Sequence, residues 1–151
     1  MPQTSYFRWV PAPASIKRIG KLHALLYTIT FGLIGARLDG LDILLLTTTG
    51  RKTGRARRVA LPFFRLSEQT VLVASFGGSP HDPAWLSNLR QHPQVCVQRG
   101  FRRWITRARI SQGSERVRLW AELTHEYPRY ALYQEKTTRI IPLVVLESTP
   151  R

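Results

Sequence analysis

Residues 44–54 read LLLTTTGRKTG, and no other stretch of the chain constrains its fold as tightly. An apolar run suited to an extended strand ends abruptly at Gly50 in a small, hydroxylated and strongly basic loop. Arg51, Lys52, Arg55, Arg57 and Arg58 place five cations within eight positions. Thr47, Thr48 and Thr49 add hydroxyl donors, and Gly50 and Gly54 let the backbone turn and approach a ligand closely. A strand that empties into such a loop has the chemistry of an anion binder.

Charge across the whole chain points the same way. With 23 Lys plus Arg against 9 Asp plus Glu in 151 residues, the net charge is +14. That balance attracts nucleic acid, anionic lipid or a small ligand with several phosphates or carboxylates, and it does not choose among them. The length fits one domain with a single core. A single cysteine, Cys96, excludes an internal disulfide, and its place between Val95 and Val97 reads as a buried strand position. Pro2, Pro11 and Pro13 interrupt the start, where no secretory pattern is evident, so a cytoplasmic protein is expected.

The chain divides into an N-terminal extension with a helix, residues 1–38, and a body, residues 39–151. Ile16, Ile19, Leu22, Leu25, Leu26, Ile29 and Leu33 recur at helical spacing, with Lys17, Arg18 and Lys21 between them. This amphipathic helix falls short of the roughly 20 apolar residues that cross a bilayer. It either caps the core or lays its apolar face on an anionic membrane surface as a peripheral contact. Strands are predicted at 43–49, 58–66, 70–75, 94–99, 103–110 and 142–147, mostly sequential and so antiparallel. In 103–110, Trp104, Thr106, Ala108 and Ile110 share one face, and Arg103, Ile105, Arg107 and Arg109 share the other. A helix is predicted from Asp82 as N-cap with Pro83 at its first position, and another over 114–125. Six strands and three or four helices suggest an α+β fold built on a compact, partly open barrel.

Most catalytic constellations are missing. His23, His81, His92 and His125 lack metal-ligand spacing, so no metal is expected. GRKTG is not a P-loop, because Arg51 stands where that motif needs glycine. No GxGxxG opens a helix after a strand, and no acidic pair suits acid-base work. Aromatics cluster instead. Phe63, Phe64 and Phe76 lie near the strands after the basic loop, and Tyr127, Tyr130 and Tyr133 are spaced to share one helical face. Phe63 and Phe64 read as core. The tyrosines read either as packing or as the rim of an apolar pocket with hydroxyl donors.

Together, LLLTTTGRKTG with Arg57, VLVAS with Gly77 and Gly78, DPAWLSNLRQHPQVCVQ, EYPRYALYQ and IPLVVLE resemble the deazaflavin-dependent nitroreductase family. The resemblance runs in the family's order over residues 41–147. It implies a split β-barrel, akin to the flavin mononucleotide-binding split barrels, that takes coenzyme F420. In its reduced form the coenzyme donates a hydride to quinones, nitroaromatics or other activated acceptors. Matched by position, Arg51, Lys52 and Thr53, helped by Arg57 and Arg58, are implied to hold the coenzyme's phosphate and oligoglutamate tail. Val59, Ala60, Leu61 and Pro62, then Val73, Ala74, Ser75 and Phe76, then Ala84, Trp85, Leu86, Ser87 and Asn88 are implied to border the ring and ribityl chain. Tyr130 matches a residue at the coenzyme and substrate pocket, with Tyr127 and Tyr133 beside the substrate. Ser75 or one of the tyrosines, Tyr130 or Tyr133, is the candidate catalytic donor to the acceptor oxygen.

The chain departs from the family at two positions near the ring. Phe76 stands where lysine is common, which removes one cation, and Ala60 stands where proline is common. Other readings remain open. The chain is a reductase, a coenzyme carrier of the same fold, or a basic surface that binds polyanions, although no nucleic-acid motif supports the last. Flavin mononucleotide is the alternative cofactor. A monomer with a small-molecule acceptor and no nucleic-acid partner is the expected assembly.

Overall fold

The computed structural model describes residues 13–29, 37–38 and 40–147. The elements are α1 (Pro13–Ile29), β1 (Arg37–Leu38), β2 (Leu41–Thr49), β3 (Ala56–Leu66), β4 (Gln69–Val73), a 3₁₀ turn (Phe76–Gly78), α2 (Ala84–Gln91), β5 (Gln94–Arg99), β6 (Arg102–Ile110), α3 (Gly113–Glu126), α4 (Arg129–Glu135) and β7 (Leu143–Leu146). All strand pairs are antiparallel, in the order β1-β2-β3-β4-β7-β6-β5. A further β2–β5 pairing closes β2 to β7 into a six-stranded barrel, with β1 attached to β2. Closure matters because an open sheet of these apolar strands would present unpaired edges.

Two long strands make the barrel split. β3 pairs with β2 through residues 56–62 and with β4 through residues 63–66. β6 likewise pairs with β5 through 102–107 and with β7 through 108–110. Each strand thus leaves one sheet and enters the other. Where β3 pairs with β2, the opposite edge of residues 56–62 has no strand partner among the described residues, and this split between that edge and the end of β4 is the groove of the fold.

The central strands are buried on both faces, which explains their near-continuous apolar sequence. Leu44 and Leu46 of β2 pack inside the barrel with Leu72, Val97, Val144 and Leu146, while Ile43 and Leu45 face outward beneath α1. Leu46, Leu72, Val97 and Val144 have no exposure to solvent. A side chain of that size buried completely contributes about 1.5–3 kcal/mol. A second cluster lies outside the β4 and β7 face, where Phe64, Leu66, Val71 and Val145 meet Leu119 and Leu123 of α3 and Tyr130 of α4.

Several expectations change. α1 docks through Ala24 and Tyr27, and the Tyr27 hydroxyl accepts a hydrogen bond from the Gly100 N–H at 3.0 Å. Ile19, Leu22, Leu25 and Leu26 of the expected apolar stripe are instead exposed, and Leu33 lies outside the described residues. Cys96 is half-buried on the outer barrel face, because the alternation of β5 turns Val95 and Val97 inward; Arg103 Nε donates to its Sγ at 3.0 Å. Asp82 does not cap α2. Pro83 occupies the N-cap position, and the Asp82 carboxylate is held by Arg139 and Arg90. Tyr127 caps the C-terminus of α3 outside α4, so the three tyrosines do not share one helix.

Candidate functional site

The basic loop is the β2–β3 connection, and it is tightly built. Gly50 N–H donates to Arg55 O at 2.8 Å, and Gly54 N–H donates back to Gly50 O at 2.7 Å. A β-carbon on Gly50 would lie 2.8 Å from Thr53 Oγ1 and 3.1 Å from Arg55 O, so any larger residue there would displace the Thr53 hydroxyl and crowd the turn. Thr53 Oγ1 itself accepts from Arg55 N–H at 3.3 Å and from the Arg57 guanidinium at 3.5 Å, which turns that hydroxyl into the loop. Asn88 of α2 anchors the loop from below. Its Oδ1 accepts from Arg51 N–H at 3.1 Å, and its Nδ2 donates to Thr48 Oγ1 at 3.1 Å. Arg51, Lys52, Arg55, Arg57 and Arg58 are all exposed. Among the described residues none of the five is paired with a carboxylate.

The groove begins at this loop. Along β3 the alternation divides residues 57–62 between two faces. Val59 and Leu61 pack toward the barrel interior, and Ala60 packs against α1 on the outside. Arg57 shares the face of Val59 and Leu61, whereas Arg58 and Pro62 share the face of Ala60. Across the groove, Ala74 is in the barrel core and Val73 faces the α3 and α4 layer. Trp85 and Leu86 of α2 are buried in the barrel core, Asn88 is buried under the loop, Ser87 is half-buried and Ala84 is exposed.

The turn after β4 is held in a rarely populated backbone form. Phe76, Gly77 and Gly78 have φ values of 46°, 65° and 79°, so a bulky aromatic residue opens a left-handed stretch. Two features keep it there. A β-carbon on Gly78 would lie 2.7 Å from the Tyr133 carbonyl oxygen, so the glycine lets α4 press directly on the turn. Arg139 fastens the other side, donating to the carbonyls of Ala74 at 3.0 Å, Ser75 at 2.8 Å and Ser79 at 2.8 Å while pairing with Asp82 at 3.0 Å. No sequence motif marks Arg139, because its partners lie far away in the chain.

The tyrosines form an edge-to-face series. Phe64 meets Tyr127 at 4.7 Å and Tyr130 at 5.3 Å, and Tyr130 meets Tyr133 at 5.5 Å. Tyr130 is 5% exposed, and burial pushes its phenol well above the usual range, so it stays protonated. Tyr133 is half-buried with the Lys136 ammonium 5.7 Å over its ring. Ser75 is buried two residues past the end of β4, at the start of the 3₁₀ turn. Loop, groove and turn are thus tied together by β3, α2 and α4, with the half-buried Val59 and Leu61 along β3 and surplus cations in the loop at its start. The described residues hold no cluster of metal-ligating side chains.

The sequence profile of the F420H(2)-dependent quinone reductase family matches residues 20–148. The chain belongs to that family. It is an F420H2-dependent reductase, with coenzyme F420 as hydride donor. An F420H(2)-dependent quinone reductase of Mycobacterium tuberculosis (strain H37Rv) is 36% identical over 143 residues, covering 92% of this chain and 95% of the relative. A solved F420-H2 dependent reductase is 40% identical with a TM-score of 0.62, covering 70% of this chain and 93% of that one. Another solved structure, described as a domain-swapped dimer, is 36% identical with a TM-score of 0.65 and covers 90% of this chain and all of its own. The split antiparallel barrel of this reductase agrees with those relatives. No helix among its described residues is long and apolar enough to cross a membrane.

Proposed function

We propose that this reductase passes a hydride to a quinone in the groove along β3, with the β2–β3 loop holding the coenzyme's acidic end. The observation that carries this reading is the set of five exposed cations without carboxylate partners, fixed through Asn88 to the helix that underlies the groove. A phosphodiester and an oligoglutamate tail are what such a donor set fits, with guanidinium groups offering bidentate contacts. When bound, the coenzyme supplies the hydride from its reduced deazaflavin ring. Arg51, Lys52 and Arg57 bind the anionic end. Val59, Leu61 and the turn at Ser75–Phe76 orient the ring, and Trp85 supports that wall from the core. Ser75 and Tyr133 donate toward the acceptor oxygen, where negative charge grows as the hydride arrives. Tyr130 sits behind Tyr133 and supports it through their edge-to-face contact.

Phe76 gives this groove an aromatic surface where a lysine is common in the family, which suits an apolar, planar acceptor such as a quinone. Equilibrium titration of the purified protein with coenzyme F420, flavin mononucleotide and flavin adenine dinucleotide tests the cofactor assignment. Tightest binding of coenzyme F420 is expected, and equal or tighter binding of flavin mononucleotide would refute it.

Two finer points belong to the same reading. The exposed Ile19, Leu22, Leu25 and Leu26 of α1, beside exposed Arg18 and Lys21, suit peripheral contact with an anionic membrane from the cytoplasmic side. Flotation with anionic liposomes that persists undiminished in a Leu22→Glu, Leu25→Glu variant would dispose of that contact. The protein is read as a monomer; the relative described as a domain-swapped dimer is the observation against it, and light scattering decides.

A further inference from the structure

A cleft of about 650 Å³ opens on the other side of β2 from the groove, between α1, the start of β2 and the β5–β6 turn. Half-buried Trp104 contributes an aromatic wall, the fully buried Tyr27 lies behind the lining, and Arg37, Asp42, Arg99 and Arg102 stand around the cleft. Asp42 begins β2 and the basic loop follows its end. At about 3.3 Å per residue, the two sites are separated by roughly 25 Å along the strand. The cleft is therefore distinct from the anion-binding loop.

Its charges do not cancel. The one carboxylate, Asp42, is shared by Arg37 at 3.0 Å and Arg99 at 3.8 Å. Arg102 has no carboxylate partner among the described residues. Three guanidinium groups against one carboxylate leave a surplus of positive charge. Arg99 is also held in place, with its guanidinium 4.8 Å over the Phe63 ring. The cleft thus joins an aromatic wall to a cationic rim, and its size falls within the range of small-ligand sites.

We infer that this cleft binds an amphiphilic organic acid, an apolar body that carries one phosphate or carboxylate. The apolar part lies against Trp104, and the acid group meets Arg102 and Arg99. Such an acid is either a free molecule or the headgroup of a lipid. Neither needs the coenzyme, so the inference stands apart from the proposed hydride transfer.

Calorimetric titration with dodecyl phosphate below its micelle concentration tests it, using the full-length protein, Arg102→Gln and Lys52→Ala. Saturable binding is expected, weaker by about tenfold in Arg102→Gln, the scale of one charge-assisted hydrogen bond. Lys52→Ala is expected to match the parent, and inorganic phosphate to bind more weakly than dodecyl phosphate. Arg102 is exposed, and matching circular dichroism spectra will show that its replacement leaves the fold intact. Absence of saturable binding, equal affinity in Arg102→Gln, or loss of binding in Lys52→Ala would each overturn the inference. Flotation with phosphatidic acid vesicles separates the two sources. Vesicle binding that falls in Arg102→Gln assigns a lipid headgroup, and dodecyl phosphate binding without vesicle binding assigns a soluble acid.

Discussion

One added carbon at Gly78 would disturb the candidate site more than most larger changes. Its β-carbon would meet the Tyr133 carbonyl oxygen at 2.7 Å and Lys136 Cβ at 3.0 Å, at a φ of +79°. Gly78→Ala is therefore expected to destabilise the protein by about 2–4 kcal/mol, combining backbone strain with displacement of α4. Thermal denaturation measures it. The opposite change is available in the β3–β4 turn, where Ser67 and Glu68 adopt φ values of 46° and 63° without a glycine. Glu122 of α3 holds Ser67, accepting from its N–H at 2.9 Å and from its hydroxyl at 2.8 Å. Glu68 is exposed, and Glu68→Asn relieves left-handed strain without releasing that clamp. A gain of about 0.5 kcal/mol is expected in denaturant titrations. The strands predicted at 58–66 and 70–75 leave residues 67–69 as their connection, but the hand of that turn is not local information, because the glutamate that stabilises it lies 55 positions away.

Two side chains join elements that the sequence treats as separate. Asn88 connects α2 to both β2 and the basic loop, and Arg139 connects the segment before β7 to the turn after β4. Asn88→Ala would leave buried polar groups unpaired, at a cost of about 1–3 kcal/mol, and would loosen the loop. Weaker coenzyme binding as well as a lower melting temperature is expected. The six barrel strands were legible to within two residues at each end, because alternation and turn residues are local signals, whereas the two-residue β1 was not predicted. The position of Asp82 was not legible, since its N-cap role was displaced by pairing with Arg139, 57 positions away, and with Arg90 of α2. The same limit applied to α1. Its apolar stripe was visible, yet the docking face was set by Ala24 and by Tyr27 reaching Gly100.

For the whole molecule, stability depends on acid pH in a defined direction. Glu115 accepts two hydrogen bonds from the Arg109 guanidinium, at 2.6 and 2.8 Å, which holds its carboxyl at about 2 against an ordinary value of 4.5. A depressed folded value means the contribution is present above about pH 4.5 and is lost as pH falls toward 2. The pair is partly exposed, so solvent screening leaves about 1 kcal/mol. Glu115→Gln should lower stability by that amount at neutral pH and by nothing near pH 2. The fold class was legible because six short antiparallel strands with turns between them admit few closed arrangements. The groove was not, because it arises where β3 changes partners, and partner choice along a strand is a property of the assembled barrel.

The central claim is that the loop grips the coenzyme while hydride transfer takes place farther along the groove. Steady-state oxidation of reduced coenzyme F420 by menadione, followed by recovery of deazaflavin absorbance, tests it most directly in the parent protein, Lys52→Ala and Arg57→Ala. Turnover by the parent is predicted, with both variants raising the coenzyme KM by an amount equivalent to about 1–3 kcal/mol while kcat changes little. No oxidation by the parent, or an unchanged coenzyme KM in both variants, would contradict it.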